Sequence, residues 1–224
     1  MSAEPAATPP EPKPDAPSMI TAADAPSMIT VGNNTQLESG DDAWVTCGND
    51  SCLSGGHNSR LVGGKRSTLT GGNFSTLMCG ERATMLVGDH SKLIGGTGLR
   101  SICGKHSTAI GGDLSRMHGG DHSTLTGGDY STLVGGFEAT LIGGDGSTLT
   151  GGDDSTLTGG VDSTLTGGAG SRFAGGAGAW FFVNEESSTG PRVFFVGAVG
   201  EGAEDLKPGV PYRWIDGEWV PQNT

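Results

Sequence analysis

The chain has 224 residues and a formal net charge of −12, which argues against nucleic acid as a partner, because neutralising phosphate needs a clustered basic surface. Glycine supplies 42 residues while aromatics make up 6% and charged residues 17%, too little bulky apolar material for a conventional core. Without a triplet period or much proline this is not collagen; it is a repeat signature or disorder.

The first stretch, MSAEPAATPPEPKPDAPS, has no basic start and no apolar run, so it does not read as a secretory signal peptide. Residues 1–26 are expected to be a disordered Pro/Ala-rich leader. With no signal peptide, the expected location is the cytoplasm or an exterior reached by a non-classical route. No stretch approaches the length of a transmembrane helix, so no transmembrane segment is expected. The duplicated DAPSMIT falls nine residues apart, which leaves its first copy off the register that follows and inside the leader.

From there the chain keeps an eight-residue grid. Ser51, Ser59, Ser67, Ser75, Ser91, Ser107, Ser115, Ser123, Ser131, Ser147, Ser155, Ser163 and Ser171 sit on it, with Ala83, Leu99 and Ala139 as exceptions. An apolar residue, usually leucine, follows two positions later, and glycine five positions later every time from Gly56 to Gly176. Thr35, Ala43 and Ser27 extend the grid upstream, giving twenty octads from Ser27 to the one that starts at Ala179. Each octad is a four-residue strand and a corner. In Ser-Thr-Leu-Thr, alternation puts serine and leucine inward and both threonines outward. An always-glycine corner position implies positive φ or close backbone approach.

Strands this short cannot bury one side alone. They can in an all-β fold, a β-solenoid whose coils pair strand on strand about 4.8 Å apart. A coil could hold two octads or three. His90, His106 and His122 recur every sixteen residues, as do Arg66 and Arg82, which favours two octads per coil and about ten coils in a rod of roughly 45 Å. The solenoid is expected over residues 27–178 and a β-rich cap over 179–224. In that tail WFFV and RVFFV are strand-like runs, and YRWIDGEWV carries an Asp-Gly hairpin signal. A cap covers the sheet edges that an open solenoid would expose.

The octads GDDSTLTGG, GDGSTLTGG and GDYSTLVGG resemble the tandem repeats of bacterial ice nucleation proteins, and GEGAEDLKPGVPYRWIDGEWV resembles that family's C-terminal cap. The resemblance covers Ser27 to the C-terminus and implies sixteen-residue coils, outward Thr-x-Thr rows that order water, and assembly into fibres. Two departures stand out: Gly-Gly occupies the turn where the family has Ala-Gly, and the basic residues crowd the N-terminal half of the array.

The water-ordering candidates are Thr68, Thr70, Thr124, Thr126, Thr132, Thr140, Thr148, Thr150, Thr156, Thr158, Thr164 and Thr166. Ice or ordered water is the partner they suggest; threonine is also simply a good strand residue. In the N-terminal octads the outward pairs are Arg60/Val62, Lys92/Ile94, Arg100/Ile102 and Arg116/His118. Mixed apolar and basic surface suggests protein contact, so Arg60, Lys92, Arg100 and Arg116, with Arg82 and Tyr130, are the assembly candidates for a homo-oligomer or fibre. The acidic corners Asp113, Asp129, Asp145, Asp153 and Asp154 are a possible complement. The alternative is a structural or adhesive self-associating module with no ice activity.

Several features read more simply as structure. Stacked histidines could take up a metal or a proton, but their spacing specifies no carboxylate partner, so exposed corner residues are the simpler explanation and no metal site is assigned. Aspartate after Gly-Gly is expected to make local Asx turns. Cys47, Cys79 and Cys103 share the slot of the corner's first glycine and read as buried free thiols. No nucleophile elbow, P-loop or acid/base pair is present, and repetition does not build a unique constellation, so neither catalysis nor a cofactor is expected.

Overall fold

The computed structural model describes residues 18–22, 28–187, 190–200, 206–216 and 218–222. It is an all-β solenoid of two 12-stranded sheets, with successive strands alternating between them. One sheet begins at Ser18–Ala22 and Thr35–Ser39 and climbs through Thr132–Val134, Thr148–Thr150 and Thr164–Gly167; it is called here the Thr148 sheet. The other begins at Met28–Thr30 and climbs through Thr124–Thr126, Thr140–Ile142 and Thr156–Thr158; it is the Thr156 sheet.

Register fixes the coil. Thr132 pairs with Thr148 and Thr148 with Thr164, and on the other sheet Thr124, Thr140 and Thr156 pair in turn. Each partner is two octads away, so a coil holds sixteen residues. The first DAPSMIT copy, read above as leader, supplies a strand. Ser18–Ala22 pairs in parallel with Thr35–Ser39, and the offset Ser18↔Thr35 absorbs the extra residue of the duplication. The remainder of the leader lies outside the described residues.

The core is a double ladder. Leu125, Leu133, Leu141, Leu149, Leu157 and Leu165 are all 0% exposed; each such burial is worth about 1.5–3 kcal/mol. The inward serines are buried too, and most are satisfied by hydrogen bonds between coils, although Ser123 Oγ has no partner. The Ser75 amide donates to Ser91 Oγ at 3.1 Å, and Ser91 Oγ donates to the Gly72 carbonyl at 3.3 Å. Serine fits because it is small enough for the corner and closes a backbone pair that the strand ladder leaves open.

One coil departs from this pattern. Leu99 occupies a serine slot and Ser101 a leucine slot, with Ala109 opposite, while Met85 and Met117 are the register partners of Ser101. Leu99 and the two pliable methionines restore volume, but the buried Ser101 Oγ has no hydrogen-bond partner.

The corners decide between the two reasons expected for glycine, positive φ and close approach. No glycine of a Gly-Gly pair has positive φ; the residue just before the serine slot has it instead, whatever its identity, as in Arg66 (φ 56), Leu114 (φ 58) and Tyr130 (φ 55). The paired glycines are required by close approach. A Cβ on Gly152 would lie 2.9 Å from the Gly136 carbonyl carbon and 3.0 Å from the Phe137 amide nitrogen of the coil before.

The corner aspartates also act between coils, not locally. The Asp145 amide donates to Asp129 Oδ1 at 2.9 Å, and the Val161 amide donates to Asp145 Oδ1 at 2.8 Å. The local Asx turn is therefore corrected: stacking brings the next coil's unpaired amide directly against the carboxylate.

At the C-terminal end each sheet reverses into antiparallel strands. Trp180–Ser187 still pairs in parallel with Thr164–Gly167, then folds back against Gly190–Ala198. Tyr212–Ile215 runs antiparallel to Arg172–Ala174 and to Glu218–Pro221, with Asp216 (φ 49) in the turn. Phe173, Phe181 and Trp219 converge with ring centroids 5.4–5.6 Å apart and close the apolar interior.

Candidate water-ordering faces

Outward threonines stand in columns because the register is the coil repeat. On the Thr148 sheet the first column holds Thr132, Thr148 and Thr164, and the second holds Val134, Thr150 and Thr166. On the Thr156 sheet the first column holds Thr124, Thr140 and Thr156, and the second holds Thr126, Ile142 and Thr158. All of these side chains are exposed or half-buried. Neighbours up a column are about 4.8 Å apart, and the two positions of one strand about 7 Å apart. Neither set of columns contains a charged residue.

The sheets are unequal. Thr108 pairs with Thr124, so the Thr156 sheet carries four consecutive threonines, with Ile110 beside the first. The octad-by-octad reading missed Thr108 because Arg116 follows it in sequence; Arg116 lies on the opposite sheet. Thr68 and Thr70 are not joined to either array. Coils carrying Thr84/Leu86, Arg100/Ile102 and Arg116/His118 separate them from Thr132.

The arrays end at defined neighbours. Below Thr132 lie Arg116 and His118, and above Thr164 and Thr166 lie Trp180 and Phe182. On the other sheet Lys92 and Ile94 lie below Thr108 and Ile110, while Arg172 and Ala174 lie above Thr156 and Thr158. There a groove of about 300 Å³, lined by Thr158, Phe173, Pro211 and Gln222 among others, separates the threonine face from the cap.

The assembly candidates occupy three places. Arg60 and Lys92 flank Thr76 on the Thr156 sheet, beside an apolar column of Val62, Met78, Ile94 and Ile110. Arg60 lies over the Trp44 ring, 5.1 Å from its centroid. Arg100 and Arg116 are register partners on the Thr148 sheet, like charges held side by side. Arg82 and Tyr130 sit on a corner edge, with Tyr130 68% exposed. Nearby bases are used within the rod: Arg66 bridges Asp50 at 2.6 Å, and Lys105 bridges Asp121 at 2.9 Å. These partners hold the Asp50 and Asp121 carboxyls below the usual aspartate range.

Of the four cysteines, Cys47 and Cys103 are buried, Cys79 is half-buried and Cys52 is exposed on the Thr148 sheet. Burial pushes the Cys79 thiol up to about 12 and the Cys103 thiol up to about 11. Such thiols carry almost no thiolate at neutral pH.

In comparisons with protein families, curated proteins and solved structures, nothing matches this chain.

Proposed function

We propose that the chain is an ice-binding scaffold of the ice-nucleation type, ordering water on its two threonine faces and assembling through its N-terminal coils. The reading rests on one observation: an unbroken column of outward threonines on each sheet, at the coil spacing and beside a second column free of charge. β-Branched threonine has few rotamers, so a column on a stacked sheet presents methyls and hydroxyls at a fixed repeat with little entropy left to lose. Water held against such a surface is ordered by the repeat, whereas a lysine or aspartate would impose its own hydration shell.

Size separates binding from nucleation. The longer column spans four coils, about 14 Å. A single molecule can adsorb to ice, but seeding it calls for a larger ordered area, which self-association would supply. The apolar column of half-buried Val62 and Ile94 and exposed Met78 and Ile110 is the surface that favours the second reading, a self-associating structural module whose threonines are strand formers. Neither reading involves a reaction.

The test is capture by a slowly growing ice surface of the parent and of two variants, Thr124/Thr140/Thr156→Lys on one sheet and Thr132/Thr148/Thr164→Lys on the other. Enrichment of the parent in the ice, with loss in the first variant larger than in the second, supports the ice reading. Exclusion of the parent to the same extent as an inert protein leaves the structural module.

A further inference from the structure

Repetition does not build a unique constellation, but the junction of the array with its cap breaks the repetition. Arg172, on the last strand of the Thr156 sheet that keeps the coil pattern, is the register partner of Arg213 on the strand that folds back over it. Two arginine side chains therefore start from directly opposite positions. Below Arg172 the same column holds Thr156, Thr140 and Thr124, all uncharged.

A polar cavity of about 520 Å³ is lined by the two arginines together with Glu138, Asp154, Thr156 and Gly170. Gly170 (φ 71) takes the corner position that Glu138 and Asp154 fill in the coils below. A Cβ there would meet Asp154 Oδ1 and lie 2.9 Å from Arg213 Nη2, so the missing side chain keeps the cavity open. The groups inside are unevenly matched. Arg213 lies 3.6 Å from Asp154, and Glu138 is turned to His122 at 3.1 Å. Arg172 has no ion pair among the described residues. The groove beside the cap shares Arg172 and Thr156 with this cavity, and its wall continues through Thr158, Ala174 and Pro211 over buried Phe173.

We propose that the junction binds a small organic monoanion, a carboxylate on a compact apolar body, with the carboxylate on Arg172 and the body in the groove. A planar guanidinium matches a carboxylate through paired hydrogen bonds. Asp154 and Glu138 disfavour a second negative charge, which selects a monoanion over a phosphate dianion. Ala174 and Pro211 take apolar surface out of water, and that burial adds to the affinity. The groove, of about 300 Å³, stands at the lower end of the range for small-molecule sites, so the body it admits is a single ring or a short chain.

The experiment is a titration of the full chain with benzoate at constant ionic strength, followed by backbone amide NMR, with benzyl alcohol and inorganic phosphate run in parallel. Benzoate is expected to saturate with a Kd below about 1 mM and to shift the Gly170 and Ala174 amides. Benzyl alcohol lacks the charge and phosphate lacks the apolar body, and each is expected to bind at least about tenfold more weakly. Arg172→Gln weakens benzoate binding by at least about tenfold. Arg116→Gln removes an exposed arginine from the opposite sheet and leaves binding unchanged. A retained β circular-dichroism spectrum confirms the fold of both variants. Benzoate binding no tighter than that of benzyl alcohol or of phosphate, or a loss in Arg116→Gln equal to that in Arg172→Gln, overturns the assignment.

Discussion

Two corner residues show what a position in the coil demands. Gly152 has ordinary backbone angles, and its missing Cβ is where the Gly136 backbone lies. Gly152→Ala is therefore expected to destabilise by about 1–3 kcal/mol, since backbone cannot step aside as a side-chain tip can. Leu114, three-fifths exposed and held at φ 58, presents the opposite case. Leu114→Gly relieves left-handed strain and is expected to stabilise by about 1 kcal/mol. Urea melts of the two variants should move in opposite directions. The glycine grid was plain in the sequence. The positive-φ position was not, because it holds Arg66, Phe74, His106 and Tyr130 as readily as aspartate or asparagine. Only the stacked coil forces that conformation on residues with no preference for it.

The thiols offer a further check at this scale. Burial that raises the Cys79 and Cys103 values also shields them from reagents. A maleimide at neutral pH is expected to label Cys52 alone in the folded chain, and all four cysteines in denaturant. Rapid native labelling of Cys103 would contradict the packing.

At the scale of the corner and strand, aspartates tie one coil to the next. Asp129 accepts the Asp145 amide and Asp145 accepts that of Val161, a ladder parallel to the serine ladder inside. Asp129→Ala leaves the Asp145 amide without its carboxylate, and a loss of about 1–2 kcal/mol is expected in the same urea melts. Asp129→Asn, which keeps an acceptor, should recover most of it. Acid should loosen the Asp50–Arg66 and Asp121–Lys105 pairs. The Asp50 and Asp121 values lie below their unfolded ones, so their contribution is complete above the ordinary aspartate value of about 3.9 and is lost as pH falls through the lower folded values. Asp50 is exposed and Asp121 half-buried, with Arg66 and Lys105 exposed beside them, so the effect is small and salt-sensitive. Aspartate after Gly-Gly was legible as a corner; that its partner is sixteen residues away was not, because the hydrogen bond exists only once coil length and register are set.

For the whole molecule, the inward and outward residues could be read from alternation and the terminal hairpin from its Asp-Gly turn, while the recurrence of His90, His106 and His122 favoured a two-octad coil without fixing it. The shape of the faces could not be read. In chain order Thr108 is cut off from Thr124 by Arg116, yet in space it is stacked directly against Thr124. Sequence neighbours fall on opposite sheets, and residues two octads apart become neighbours. That folding of order into two faces makes Thr108–Thr156 the longer threonine column, and it isolates Thr68 and Thr70.

The measurement that bears most directly on this account is the partition of the purified chain into a growing ice hemisphere, beside its Thr124/Thr140/Thr156→Lys variant. The account predicts that the parent is concentrated in the ice and that the variant, folded by circular dichroism, is rejected into the liquid. Rejection of the parent, or equal incorporation of both proteins, would contradict it.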